Sequence, residues 1–212
     1  MTQSQTILQN QISQFASAIY AQNTPISGGK ITTNLNSDYL KLNRAYGGTE
    51  IDISELVGQI VTNSTGIISA TIIAVSSDSS TTGDLPTLIL SYRSGQNFAN
   101  NMTVYIQNTP FATTYSTGST GKASVVSISS GVFYIVNGYN KAKNNLRYSI
   151  GNFVNVLPQT IILDKYSNTP SARVGLDINE HIVNSSSDST LLDPALGASN
   201  YQAPGADRYQ IH

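Results

Sequence analysis

From about residue 30 onward the chain is a series of short apolar runs, roughly five to nine residues long. Turn signals cut them about every ten residues. That rhythm constrains the fold more than any other feature, because only strands are satisfied by such short segments. Residues 50–53 alternate polar and apolar, as a half-buried strand does. Runs at 59–62 and 67–75 flank the turn Asn63-Ser64-Thr65-Gly66, and the second is apolar enough to predict burial on both faces. Runs at 87–92 and 102–107 follow, with Asn100-Asn101 as turn material. Runs at 125–128 and 132–136 flank Ser129-Ser130-Gly131, which predicts a hairpin with Gly131 left-handed. Asn137-Gly138 reads as a further tight turn, and 148–156 and 160–163 complete the series through Leu157-Pro158. The expected class is mainly β, with antiparallel sandwich or barrel units.

The first 29 residues differ. Leu8, Ile12, Phe15 and Ile19 are spaced 4, 3 and 4 apart, the a/d spacing of a helical seam. The helix should end before Pro25. About two heptads are too short for a stable isolated coiled coil. The seam therefore packs either on its own domain or in a short bundle around a symmetry axis. The organisation expected is a helical arm at 1–29, a β unit at 30–115, a second at 122–183 and an extended connector at 184–212. A single continuous β domain is the alternative to two units.

Only 11% of the 212 residues are charged, and Ser, Thr and Asn take their place. Such side chains keep a β surface wet and bond to backbone in turns. Net charge is −1 and the basic residues form no stripe, so no nucleic-acid partner is expected. The chain has no cysteine, which removes thiol catalysis, disulfides and cysteine-based zinc sites. Residues 1–10 lack the basic start and apolar core of a signal peptide, and no run reaches membrane-spanning length.

Candidate chemistry is sparse. Asp177, Asn179 and His181 alternate in a β-like stretch and would share a face. The second histidine, His212, is the final residue, so His181 reads as a residue of a wet strand face rather than a metal ligand. Asp164, Asp177, Glu180, Asp188 and Asp193 are the available carboxylates, and nothing in their spacing pairs them for sugar cleavage. Asp188 and Asp193 lie in loop sequence, where Asp serves turns and caps. The segment 116–122, STGSTGK, lacks the spacing of a phosphate loop and precedes a β run rather than a helix. The reading is therefore no enzyme and no cofactor or metal. Twelve tyrosines against five phenylalanines and no tryptophan point to half-wet aromatics, as at binding or assembly surfaces.

The segment QTIILDKYSNTPSARVGL at 159–176, then Leu191-Leu192-Asp193-Pro194 and SNYQAPGADR at 199–208, occur in an order that resembles a domain of phage virion proteins. These are tail-fibre and baseplate-associated proteins of contractile-tailed phages, notably cyanophages. The likeness covers the C-terminal part of the chain, from the run at 132 on. It implies a structural role in the virion, synthesis in the host cytoplasm, and homotrimers held to other baseplate or tail proteins. No membrane partner is implied, and a host glycan would be met by a distal region outside this chain. Members run past the Ala-Pro-Gly-Ala-Asp-Arg segment, so the expectation is a short version or the N-terminal part of a longer fibre. A carbohydrate-binding or depolymerase module of a tail spike is the alternative reading.

Overall fold

The computed structural model describes residues 3–77, 83–94, 96–139, 148–205 and 207–211. The protein is mainly β, 48% strand and 8% helix, with one short N-terminal helix and antiparallel sheets. In chain order the elements are α1 (Gln3–Ile19), β1 (Thr24–Gly28), β2 (Ile31–Lys41), β3 (Ala45–Tyr46), β4 (Thr49–Glu50), β5 (Ile60–Thr62), β6 (Ser69–Ser76) and β7 (Thr87–Ser94). Then follow β8 (Thr103–Ile106), β9 (Thr109–Thr113), β10 (Thr120–Ile128), β11 (Gly131–Tyr139), β12 (Tyr148–Val156), β13 (Gln159–Asp164), β14 (Glu180–Val183), a 3-10 turn at Ser189–Leu191 and β15 (Arg208–Ile211).

The chain forms two compact units, each assembled from separate stretches of sequence. One contains residues 31–128 and 159–174, the other residues 1–30, 129–158 and 175–212. The expected boundary near 116–121 is not where the chain divides, because β10 pairs along β2 and belongs to the same sheet. The predicted hairpin around Ser129-Ser130-Gly131 is also absent. β10 pairs with β2 and β13, whereas β11 pairs with β1 and β12. Gly131 is not left-handed; it opens β11 opposite Gly28, where a Cβ would strike the backbone of Ser27, Gly28 and Gly29. Asn137 and Gly138 lie inside β11, paired with Ile150 and Ser149, so they make no turn.

In the larger unit eight strands run in the order β13-β10-β2-β7-β6-β5-β8-β9. Just beyond β2 and β9, Leu42 bridges Thr114, with Asn43 N–H donating to Thr113 O (2.9 Å) and Tyr115 N–H to Lys41 O (2.9 Å). That return contact joins the ends of β2 and β9, so that β2, β7, β6, β5, β8 and β9 curl round in the manner of a barrel. Leu40, Leu42, Val61, Ile72, Leu88, Leu90 and Val104 fill the interior, joined by Ile53 and Phe98 from connecting segments. A second cluster, Ile89, Ala74, Ala123 and Val125, lies beneath Ile162 of β13. β7, not the 67–75 run, is the strand buried on both faces: Thr87 to Leu90 are all buried, while β6 alternates and Ile67 is exposed. Residues 51–53, expected as strand, are irregular, and Ile53 points inward.

In the other unit β1, β11 and β12 form a three-stranded sheet against which α1 packs. The residues expected as an extended connector instead turn back. Gly205 N–H donates to Leu191 O (2.7 Å), Asp193 N–H to Ala203 O (3.0 Å), and β15 returns to pair with β14. Side chains of Asn184, Asp188 and Asp193 cap the turns that make this reversal local.

Leu88 is fully buried in the larger unit's sheet, so Leu88→Ala should cost about 2–5 kcal/mol. Chemical denaturation of the two proteins would measure the difference.

Candidate assembly site

The sheet of the smaller unit has a neutral composition. None of the residues of α1, β1, β11 and β12 is Asp, Glu, Lys, Arg or His. In a chain that is 11% charged, the charges have been kept away from this layer.

The helix is positioned by its small residues. Ser13 and Ala16 face inward, with Ala16 fully buried. Ser13 Oγ accepts a hydrogen bond from Gly151 N–H of β12 at 2.7 Å, supplying an acceptor to an amide that β11 does not use. The Tyr134 hydroxyl donates to Ser13 O at 3.4 Å. Tyr134 reaches that carbonyl by crossing Gly151, whose missing side chain is where the ring lies. Tyr134 also packs with Phe153 (centroids 5.5 Å) and Tyr20 (6.0 Å), and Tyr20 meets Phe153 edge-on. These three rings hold the end of the helix against the sheet, and the space left beside them admits only small residues of α1.

The large apolar residues consequently point outward. Ile7, Leu8, Ile12, Phe15 and Ile19 are all exposed, Phe15 to 69%. The predicted seam Leu8, Ile12, Phe15 and Ile19 thus forms one stripe, and it is not the stripe by which the helix packs in its own unit. Sequence periodicity finds the exposed stripe; Ser13 and Ala16 are too small to stand out as a packing face in the sequence.

The other candidates are dispersed. His181 is exposed on β14 opposite Gln210, and Asp177 and Asn179 lie before that strand begins. His212 lies outside the described residues. Among the described residues no three His, Asp or Glu side chains gather as metal ligands. Asp164 accepts from Tyr166 N–H, Asp177 from Ile178 N–H, and Asp188 from Thr190 N–H. Asp193, which lines an open cleft of about 670 Å³ with Leu191, Asn200 and Arg208, spends its carboxylate on Ala195 N–H and the Asn200 amide. In 116–122, Gly118 turns the chain at φ 60° into β10, and Lys122 pairs with Asp38 at 2.8 Å. No described helix is long and apolar enough to cross a membrane.

One cluster in the larger unit had no sequence signal. Tyr166 stacks edge-on with Tyr39 (5.0 Å) beneath the Lys41 ammonium, 3.9 Å from the ring centre. Its hydroxyl donates to Asp84 and lies 3.1 Å from Thr87 Oγ1, while Lys165 pairs with Asp84 at 2.8 Å. Burial, then the hydrogen bond to Asp84, pushes the Tyr166 phenol up to about 12. Burial pushes Asp84 up, but the Lys165 and Tyr166 hydrogen bonds and the Lys165 charge outweigh it and hold the carboxyl below its usual value. This clasp ties the end of β13 to the start of β7.

Gly151→Ala should push Tyr134 off the helix at a cost of about 1–3 kcal/mol. Hydrogen exchange should show α1 amides losing protection before those of β2 and β7. The clasp sets a pH window. With a raised phenol, its stabilisation is complete below pH 10.0 and is lost as pH rises to about 12. With a lowered carboxyl, the Asp84 share is present above pH 3.8 and is lost as pH falls through the folded value. Tyr166→Phe should shrink the alkaline step to what the raised Tyr92 phenol contributes and weaken, without abolishing, the acid one that Lys165 sustains, as followed by melting temperature across pH. No family model, curated protein or solved structure matches this chain, so its role has to be argued from the geometry of α1 and its sheet.

Proposed function

We propose that this protein is a structural component of a phage virion, the N-terminal anchoring part of a tail fibre or of a baseplate component that holds one. It acts by assembly and not by catalysis. The observation that carries this reading is α1: small residues inward, five large apolar residues outward, and no charge on the helix. A monomer gains nothing by exposing Phe15 and Leu8 while burying Ser13 and Ala16. A helix gathered with copies of itself buries both faces, and its neutral polar flanks enter the contact without desolvating a charge. The sheet beneath is equally neutral, so the layer can sit at the centre of an assembly. The resemblance of residues 159–208 to tail-fibre and baseplate-associated proteins supplies the biological setting and the expected homotrimer.

Light scattering on the intact chain tests the reading. The wild type should have a mass that is a multiple of three chains. Leu8→Asp, Ile12→Asp and Phe15→Asp together should abolish that threefold association with the β spectrum intact. A monomeric wild type would overturn the proposal.

A further inference from the structure

A second surface lies in the stretch between β13 and β14. Residues 171–179 are exposed and belong to no helix, strand or turn, and among the described residues their amides and carbonyls meet no backbone partner, the Ile178 amide donating instead to the Asp177 carboxylate. Val174, Leu176 and Ile178 alternate along the stretch and are 37%, 46% and 36% exposed. Arg173, Gly175 and Asp177 occupy the alternate positions. The alternation is that of a half-buried strand, and the segment has no neighbouring strand.

The order of residues around Gly175 identifies the missing neighbour. Reading outward in both directions gives an apolar residue, then a charge: Val174 and Arg173 on one side, Leu176 and Asp177 on the other. Laid antiparallel on a second copy about a two-fold axis through Gly175, Val174 falls opposite Leu176. Arg173 falls opposite Asp177, and the same two pairs recur on the other side of the axis. Every charge meets its opposite, and the apolar residues of both strands share one face. A parallel pairing in register would instead set Arg173 against Arg173 and Asp177 against Asp177. We propose that residues 173–178 form an isologous antiparallel β contact with a second copy of this chain. The contact is independent of α1: it joins chains two at a time, whatever number the helices gather.

The test uses the full chain carrying Leu8→Asp, Ile12→Asp and Phe15→Asp, so that the helical contact is silent, with wild-type α1 in parallel. In this background sedimentation should still show a dimer. Asp177→Arg, which makes both pairs Arg against Arg, should weaken it about tenfold. Arg173→Asp combined with Asp177→Arg should restore it, which a folding defect would not do. Because the chain has no cysteine, disulfide trapping gives the direction. An equimolar mixture of Arg173→Cys and Asp177→Cys chains should oxidise mainly to the mixed dimer. A dimer indifferent to Asp177→Arg, self-linking of Arg173→Cys in preference to the mixed product, or a monomer at all accessible concentrations would each overturn the proposal. The first and third results leave the α1 reading untouched, since wild-type α1 is measured separately.

Discussion

The meeting of Ser13, Gly151 and Tyr134 determines what the smaller unit presents to its surroundings. A strand at the edge of a sheet leaves amides that need acceptors. At Gly151 the acceptor is a serine hydroxyl on a helix, and a hydroxyl so close to the strand requires the helix backbone to approach closely. Close approach selects Ser13 and Ala16 for the inner face. It also requires a glycine in the strand, since the tyrosine that caps the contact occupies the place of a side chain at Gly151. With the inner face given to small residues, the bulk of the helix's apolar surface has only the outside left. The exposed stripe follows from how one backbone amide is satisfied.

The fold class was legible because side-chain alternation is a backbone property that sequence reports directly. The order of the strands was not, since strands adjacent in sequence need not be neighbours in space. Ser129-Ser130-Gly131 looks like a hairpin turn, yet the strands either side enter different sheets. Nothing local distinguishes a turn from a crossing of the same length. The helix ends at Ile19, before Pro25 as its sequence requires, and Pro25 itself lies in β1, an edge strand whose register slips between Pro25 and Ser27, where a missing amide does little harm. The stripe Leu8, Ile12, Phe15 and Ile19 was legible from its spacing, while its partner face was hidden because close packing there is made by residues that look polar. Tyr166 was invisible for a different reason. The residues of its clasp come from β2, β7 and the segment after β13, and only the folded sheet brings them together.

Charge is distributed along the same lines. The clasp concentrates Lys41, Asp84 and Lys165 around two aromatic rings in the larger unit, where each charge has an opposite or a ring to meet. The helix and sheet of the smaller unit have none. A polar protein with few charges can place them where they pin strands and leave a whole layer free of desolvation cost.

The interleaving of the two units governs how the chain can be made. The path passes from one to the other after Lys30, Ile128, Pro158 and Val174, so neither is a contiguous piece that could be cut out and expressed. During synthesis α1 emerges first but cannot dock until β12 has been translated, well over a hundred residues later. For that interval both faces of the helix are unpartnered, and the long-range pairings that complete its sheet are of the slow-forming kind. On a nascent chain, the helix is free to meet other copies before it meets its own sheet.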